Sequence, residues 1–408
     1  MYPTKMRTRS TTAREKTTTF HGVAGIEILP EALFLVINDF YTIENLLQVN
    51  NFFFAMKGRI YYYELTKEYS TKYYFSKQFR KSVRSRIHET SKQLSISLAN
   101  IPQITNVSML EGVHYLDLSG CTNIVDVSAL SNCHTLDLHA CTKITDVSSL
   151  GGIQVLSLSY CSKIVDVSAL GKVHTLILAH CEKITDVSAL RGVHTLDLLG
   201  CKGITDVSAL GNVHTLDLSG CDGITDVSAL TNVHILQLSG CNKITDVSAL
   251  GRVHTLDLSY CDKIKDVSAL GSVYSLCLDN CFSIESVQDL GKVHNLKLCG
   301  CSLIRDVSML GGVHTLHLCN CVDIRDVSDL GGVHSLYLRG CNISDVSALG
   351  SVHTLDLTNC QNVTDVSMLG GVHSLNLHGC TNIRDLKILV SLQHYYMKEH
   401  DSTHGVQY

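Results

Sequence analysis

A 20-residue phrase that recurs along most of the chain constrains the fold more than any other feature. Residues 213–232 read VHTLDLSGCDGITDVSALTN, and versions of this phrase occur 14 times between residues 113 and 391. Numbered from its Val, a unit has apolar residues at positions 1, 4, 6, 12, 15 and 18 and Cys at position 9. Because one unit cannot bury these side chains alone, successive units must stack as coils of a solenoid with one continuous core.

Each coil should contribute one short strand and one tight turn. Residues 215–219 alternate polar and apolar, which predicts a strand with Leu216 and Leu218 facing the core. A full circuit of chain separates consecutive strands, so about 16 strands should pair in parallel. Residues 226–230 are interpreted as a helical or 3₁₀ turn whose Asp226 carboxylate accepts a backbone N–H two or three residues on. A calcium-binding ladder is disfavoured because calcium needs several oxygens at one point.

The unit resembles the leucine-rich-repeat motif L-x-x-L-x-L-x-x-N/C-x-L, which reads here as Val213-x-x-Leu216-x-Leu218-x-x-Cys221-x-x-Ile224. The resemblance covers residues 93 to about 398 and is closest to the cysteine-containing and short-repeat subclasses. It implies an α/β solenoid of horseshoe form, with a parallel sheet on the concave face and short 3₁₀ turns on the convex side. It also implies protein binding through the concave sheet.

The two ends of the array should carry caps. Residues 94–98 are predicted to form a degenerate first strand. Leu392, Tyr395 and Met397 fit positions 1, 4 and 6 of a final strand, and residues 399–408 are predicted to be a frayed tail.

A different pattern occupies residues 26–65, where apolar residues are spaced as in three short helices. This stretch resembles an F-box, and the family implies docking on a Skp1-like adaptor of a cullin ubiquitin ligase. The chain contains no Trp, although the F-box motif usually ends in one. The alternative is a helical cap that shields the end of the solenoid. The predicted adaptor-binding residues are Leu29, Pro30, Leu33, Ile37, Leu46, Leu47, Val49 and Phe52.

Charge is divided unevenly along the chain. Residues 1–92 carry 15 Lys+Arg against 8 Asp+Glu, whereas residues 93–408 carry 18 against 30. We predict a disordered tail over 1–25 and a basic, solvated helical linker over 66–92. An acidic array is a poor surface for nucleic acid, which is bound through Lys and Arg.

Compartment is inferred from what the sequence lacks. No stretch of 18 residues is continuously apolar, and the first 20 residues have no apolar signal-peptide region. We therefore expect reduced thiols and a cytoplasmic protein, with the nucleus as the alternative.

Cysteine and histidine recur in ways that invite a metal hypothesis. Fourteen of the 18 Cys occupy position 9, which indicates packing between coils. Cys299 and Cys319 share position 7 of adjacent units with His317 beside them, so three soft ligands could bind zinc. Variation among small outward residues is the preferred interpretation, and no metal or cofactor is assigned.

Twelve units have His at position 2. We expect these histidines to stack as structural residues, and we expect their pKa values to lie below about 6.5 because neighbouring imidazolium charges repel.

Specificity should reside at positions 3, 5 and 7, which face outward from the sheet. These positions are mostly Thr, Asp and Ser in the first two-thirds of the array and diversify from Tyr274 onward. The predicted partner-binding residues are Asp279, Lys297, His317, Tyr337 and Arg339. An alternative patch of Asp197, Asp217 and Asp257 would favour a basic partner.

These patterns predict a non-enzymatic protein, because no nucleophile–base pair, phosphate-binding loop or cofactor motif is present. The preferred function is a substrate receptor of a cullin-type ubiquitin ligase, monomeric outside its complex. The alternatives are a ligase-independent interaction scaffold and a His/Cys metal-binding protein.

Overall fold

A computed structural model of the chain describes residues 62–90, 93–384 and 394–396. The chain divides into two units, Met1–Thr42 and Ile43–Tyr408, and every described residue belongs to the second unit. The tail over 1–25, the eight adaptor-binding residues and the residues of the final tail lie outside the described part. No helix within the described part is both long and apolar enough to cross a membrane.

Seventeen short strands of the described residues form one sheet, in which each strand pairs in parallel with the next along the chain. Parallel pairing follows from the full coil that separates any two strands. The strands are β1 (Tyr62–Glu64), β2 (Gln93–Ser97), β3 (Tyr115–Asp117), β4 (Thr135–Asp137), β5 (Val155–Ser157), β6 (Thr175–Ile177), β7 (Thr195–Asp197), β8 (Thr215–Asp217), β9 (Ile235–Gln237), β10 (Thr255–Asp257), β11 (Ser275–Cys277), β12 (Asn295–Lys297), β13 (Thr315–His317), β14 (Ser335–Tyr337), β15 (Thr354–Asp356), β16 (Ser374–Asn376) and β17 (His394–Tyr396).

The core lies between the sheet and the turns, where identical residues stack from coil to coil. Leu216 pairs in register with Leu196 on one side and Leu236 on the other. In the unit that begins at Val213, the residues at positions 1, 4, 6, 9, 12, 15 and 18 are at most 2% exposed. The seven core positions predicted from the repeat are therefore confirmed.

The return path of most coils is a 3₁₀ turn, as predicted. Asp226 accepts a hydrogen bond at Oδ1 from the Ser228 backbone N–H at 2.9 Å, which satisfies a donor that the turn leaves without a partner. Hydrogen bonds from Ser228 hold the pKa of the exposed Asp226 carboxyl below its usual value. The 3₁₀ segments are Ser108–Leu110, Ser128–Leu130, Ser148–Leu150, Ser168–Leu170, Ser188–Gly192, Ser208–Leu210, Ser228–Leu230, Ser248–Arg252, Ser268–Leu270, Gln288–Leu290, Ser308–Gly312, Ser328–Gly332, Ser347–Ser351 and Leu369–Gly371.

One unit is a residue shorter than the others, between Cys341 and Ile343. The shortened turn leaves the pairing of β14 with β15 intact, since Leu336 still lies opposite Leu355. Cys341 and Ile343 also remain buried. The solenoid thus absorbs the missing residue in its turn and keeps the strand register.

Two helices cover the first coil of the solenoid, α1 (Lys67–Phe75) and α2 (Lys77–Thr90). Tyr73 is fully buried, and the Tyr74 hydroxyl donates to the Asn106 carbonyl at 2.8 Å. Arg84 Nη2 donates to the Glu111 carbonyl at 2.7 Å. A terminal coil of a solenoid needs such a cover because its apolar face has no further coil to pack on.

This arrangement differs from the single solvated linker helix that the sequence suggested for residues 66–92. The Arg84 side chain donates to carbonyls of the first turn, and Tyr73 and Tyr74 are buried, whereas Tyr69 and Phe75 remain exposed. Strand β1, from the segment assigned to the F-box-like module, pairs with β2 and extends the sheet by one strand. At the other end β17 confirms a final strand at Tyr395, whereas Leu392 and Met397 lie outside the described residues.

Position 8 of each coil lies in the left-handed region of backbone conformation. Ten of the 14 units have Gly or Asn here, but Ala140 adopts φ +57° and Tyr160 φ +59°. A Cβ atom in this region costs roughly 1–2 kcal/mol. These positions therefore store modest strain at the end of the strand.

Replacing Ala140 with Gly should raise the free energy of unfolding by about 0.5–1 kcal/mol. Relief of the left-handed strain exceeds the greater conformational entropy of Gly in the unfolded chain. Chemical denaturation would measure the difference. Ala229→Gly is the control, because Ala229 lies in a 3₁₀ turn at position 17 and should lose about 0.5–1 kcal/mol. A loss of stability in both variants would contradict the expectation.

Candidate functional site

The outward face of the sheet is made of three parallel rows of side chains, one residue per coil at positions 3, 5 and 7. On β13, for example, Leu316 is fully buried while Thr315 and His317 are half-buried on the opposite face. We call these three rows the sheet surface. Core positions are nearly invariant from coil to coil, whereas the three rows vary, as do the solvent-facing positions 10, 11 and 13 of the turn.

The five predicted partner-binding residues lie together on four neighbouring coils. Lys297, His317 and Tyr337 are register neighbours in the position-5 row. Asp279 and Arg339 belong to the position-7 row, at the two ends of the same region. We call this set of five residues the divergent patch.

Ring stacking and an ion pair fix the far side of the divergent patch. The rings of His317 and Tyr337 stack with centroids 4.2 Å apart and planes 7° apart. Arg339 Nη2 lies 3.4 Å from Asp356 Oδ2 on the next coil. The Asp356 side chain is 11% exposed, and its Oδ1 also accepts from the Thr358 backbone N–H at 2.8 Å. Asp356 was not predicted from the sequence, although a position-5 Asp one coil after an outward Arg is a signal that could have found it.

The near side of the divergent patch is held by Asp279. Its Oδ1 atom accepts from the Cys299 backbone N–H at 2.6 Å and so joins two adjacent coils. Lys297 lies between Cys277 and His317 in register. Asp279 therefore has a positioning role in addition to any contact with a partner.

The alternative acidic patch is less exposed and less continuous than its sequence suggested. Asp197 and Asp217 are only 4% and 3% exposed, and Gln237 separates Asp217 from Asp257 in the row. Burial raises the pKa of Asp217 to about 6 and also raises the pKa of Asp257. Asp217 Oδ1 accepts from the Ser219 backbone N–H at 2.8 Å, which closes the strand. Asp197 and Asp217 are therefore structural groups that offer little surface to a basic partner, whereas Asp257 is half-buried.

A cluster of possible metal ligands lies on the sheet surface at the divergent patch, made of Cys299, His317 and Cys319. Their sulfur and ring-nitrogen atoms all lie within 4.8 Å of one another, and all three side chains are half-buried. A hydrogen bond from the Cys299 thiol, helped by His317, lowers the pKa of Cys319 to about 5, and the same bond raises the pKa of Cys299. The sequence had placed these residues side by side, but only the structure shows that their ligand atoms meet.

The 14 position-9 cysteines form a separate population. Each is at most 6% exposed. Cys221, for example, donates its S–H to the Leu198 carbonyl at 3.2 Å, and the others make the equivalent bond to the preceding coil. Burial raises the pKa of Cys221. All 18 Cys are free thiols, and this ladder is confirmed as a packing feature.

Position-2 histidines stack along the edge of the sheet, as predicted. From His174 to His373, eleven aromatic rings follow one another with centroids 4.5–4.8 Å apart, and Tyr274 takes one place in the run. The pKa of His114 is lowered to about 4, chiefly by burial and secondarily by His134. Desolvation thus contributes more than the charge repulsion that the sequence suggested.

Acidification should destabilise the protein, and His114→Gln should lessen the effect. A lowered folded-state pKa means that the unfolded chain binds more protons between pH 6.5 and about 4, so stability falls as the pH falls through this window. We expect the His114 ring to account for about 1 kcal/mol of the lost free energy of unfolding, a small value because the ring is half-exposed and water screens its charge. Thermal melts at pH 7.5 and pH 5 would measure it. Equal losses in the wild type and the variant would contradict it.

Comparisons with known proteins agree with the repeat architecture. A family model described as Leucine Rich repeat matches residues 212–231, and no curated protein matches the chain. The Leptospira interrogans leucine-rich-repeat protein LIC12759 is 17% identical with a TM-score of 0.55, over 77% of this chain and 98% of that one. TLR13, solved in complex with ssRNA13, is 18% identical with a TM-score of 0.51, over 74% of this chain and 50% of that one.

The internalin InlF of Listeria monocytogenes is 21% identical over 75% of this chain and 87% of its own, with a TM-score of only 0.37. At these identities the likenesses to LIC12759 and TLR13 bear on the fold and not on the ligand. Together with the matched repeat and the regular coils, the likeness to LIC12759 identifies the fold as a leucine-rich-repeat solenoid.

Proposed function

We propose that this leucine-rich-repeat protein binds another protein on its sheet surface, with the divergent patch as the site of recognition. The observation that carries the proposal is the change of residue types over β11 to β14. Elsewhere the rows are mostly Thr, Asp and Ser, with larger apolar exceptions at Tyr115, Val155, Ile177, Leu199 and Ile235, whereas here Lys297, His317, Tyr337 and Arg339 follow one another within three coils. A scaffold that varies only at outward positions is suited to recognition, because its core tolerates little change.

The chemistry of the divergent patch favours a mixed polar and apolar contact. The stacked rings of His317 and Tyr337 present a rigid aromatic platform, and aromatic residues of this kind dominate protein interfaces. Lys297 adds positive charge on one side of the platform, and Arg339, which pairs with Asp356, adds a guanidinium on the same coil as Tyr337. We therefore propose a partner surface that places acidic side chains around an apolar or aromatic group.

Replacing Tyr337 with Ala should weaken partner binding by about 2 kcal/mol or more, which is roughly a thirtyfold rise in Kd. Lys297→Glu should weaken it further by charge reversal. Affinity purification followed by mass spectrometry would identify the partner, and titration would give the constants. Tyr260→Ala is the matched control, since Tyr260 is an exposed Tyr at position 8 outside the divergent patch. Undiminished capture by the Tyr337 and Lys297 variants would refute the placement of the site.

A narrower function is that of a substrate receptor in a cullin-type ubiquitin ligase. Its support is the F-box-like sequence at residues 29–52, ahead of the array that would hold the substrate. In that arrangement the F-box-like residues bind a Skp1-like adaptor and the divergent patch presents the captured protein. A ligase-independent scaffold would use the same patch and lack the adaptor.

Removal of residues 28–58 separates these two functions. The deletion stops before β1, because Tyr62–Glu64 pairs with β2 and belongs to the sheet. The receptor proposal expects loss of adaptor co-purification with retention of the partner on the sheet surface. The paired substitution of Leu29 and Pro30 by Ala should give the same result without shortening the chain. If the intact chain captures no adaptor, the receptor proposal fails and the scaffold proposal stands.

A further inference from the structure

We propose that Cys299, His317 and Cys319 form a zinc-binding site on the sheet surface, with a fourth coordination position open to water or to an incoming ligand. The site goes beyond the proposed binding function and does not depend on a protein partner. Within the described residues, it is the one group of three or more His, Cys, Asp or Glu side chains whose ligand atoms converge.

The fold brings the three ligands together through strand register. Cys299 and Cys319 follow β12 and β13 at the same position of adjacent coils, so their Cα atoms lie one strand spacing apart, roughly 4.8 Å. His317 lies two residues before Cys319, and residues two apart on a strand share a face. The three ligand atoms lie within 4.8 Å of one another.

Zinc coordination requires only a small adjustment of this geometry. Tetrahedral sites with Zn–S distances of about 2.3 Å and Zn–N distances of about 2.0–2.1 Å place ligand atoms roughly 3.4–3.8 Å apart. Side-chain rotations that move each ligand atom by about 1 Å would therefore bring the three ligands onto a common ion. Neither strand needs to move, because parallel coils already hold the side chains on one face.

The ligand chemistry selects a borderline-soft cation. Two thiolates and one imidazole are characteristic zinc ligands, and two thiolates neutralise the charge of Zn²⁺. Calcium and magnesium prefer oxygen ligands and are poor candidates. With three protein ligands the fourth position remains available, as in sites where zinc binds water or a further ligand.

Neighbouring residues hold the ligands in place. Asp279 Oδ1 accepts from the Cys299 backbone N–H at 2.6 Å, and Tyr337 stacks on the His317 ring at 4.2 Å. Both contacts restrict the conformations of Cys299 and His317 without occupying their ligand atoms.

The other cysteines of the array are unsuited to the same role. Every position-9 thiol is buried and donates to a backbone carbonyl, as Cys301 does to Leu278 at 3.1 Å. Of the 18 Cys, only Cys299 and Cys319 are partly exposed. Cys277 lies on the same face but is 4% exposed and has Lys297 as its register neighbour.

Cobalt titration of the full chain tests the site. The protein is reduced, stripped with a chelator and titrated with Co²⁺, whose thiolate charge-transfer absorption reports Cys ligation. We expect one Co²⁺ per chain, displaced by Zn²⁺. Cys299→Ser and Cys319→Ser should abolish the charge-transfer absorption or weaken binding by more than about 100-fold, beyond the typical effect of losing a residue that only orients a ligand.

Two matched controls and one further variant make the outcome decisive. Cys277→Ser and His139→Gln remove a Cys and an outward His elsewhere on the sheet surface and should bind Co²⁺ as the wild type does. His317→Gln weakens binding and serves if either Ser variant fails to fold. Absence of the charge-transfer absorption in the reduced wild type would overturn the proposal. Equal binding by all variants would overturn it too, since it would assign the metal to other thiols.

Discussion

Replacing Leu216 with Ala is expected to lower the free energy of unfolding by about 3–5 kcal/mol, the upper part of the range for buried Leu. Leu216 is fully buried in the middle of a continuous row between Leu196 and Leu236. Coils above and below are locked in register by backbone hydrogen bonds, so the structure cannot collapse into the cavity. Little of the lost packing can then be recovered.

The experiment on Leu216→Ala should show which coils lose stability as well as how much free energy of unfolding is lost. Long repeat arrays need not unfold in one step, so denaturation is best combined with amide hydrogen exchange. Loss of protection should centre on β7 to β9 and diminish along the array, because coils interact with their nearest neighbours. Leu216→Met, which conserves volume, is the control and should cost less than about 1.5 kcal/mol. A cost below about 1 kcal/mol for the Ala variant would contradict the continuous core.

Replacing Asp217 with Asn should stabilise the protein at pH 7.5 by about 2 kcal/mol. Burial raises the pKa of this carboxyl to about 6, so the folded state binds a proton more tightly than the unfolded chain. Stability is then lost as the pH rises from about 4 to about 6, because the carboxyl must ionise in a desolvated place. Asn keeps the acceptor for the Ser219 N–H and carries no charge.

Asp226→Asn is the matched control from the same coil. The Asp226 carboxyl is exposed and accepts hydrogen bonds from Ser228, which lower its pKa. The pH dependence therefore has the opposite sign. The stability that the Asp226 carboxylate contributes is present at neutral pH and is lost as the pH falls through the folded-state pKa. Denaturation curves at pH 4 and pH 7.5 should show a gain for Asp217→Asn that vanishes at the lower pH, with no gain for Asp226→Asn. A gain that persists at pH 4 would show that charge is not its cause.

Much of the solenoid could be predicted because the period ties every core residue to one of seven positions. Leu216, Cys221 and Asp226 each have the same role in nearly every coil, so a single unit explains the strand, the ladder and the capped turn. The burial of Asp217 could not be predicted, because outward residues were expected to meet solvent. Coils spaced about 4.8 Å apart let neighbouring side chains shield one another.

The N-terminal cover and the cysteine cluster were harder to foresee for a different reason. Tyr73 and Arg84 belong to no repeat, so nothing in the sequence shows which surface they meet. Neighbouring positions in adjacent coils placed Cys299 and Cys319 side by side, but the convergence of ligand atoms depends on side-chain conformations that the repeat does not determine. The grouping of Lys297, His317 and Tyr337 followed from position alone and remains a proposal as a binding site.

The tolerance of the array for a shortened turn has a consequence for its ancestry. Units this similar in sequence invite unequal recombination, and an event that removes or adds whole units leaves every remaining strand in register. An event in the coils between α2 and the divergent patch would move the patch by one strand spacing, about 4.8 Å, relative to α1 and α2 without altering a contact within it. Related chains are therefore expected to differ in the number of coils, and the reach between their two ends to change in discrete steps.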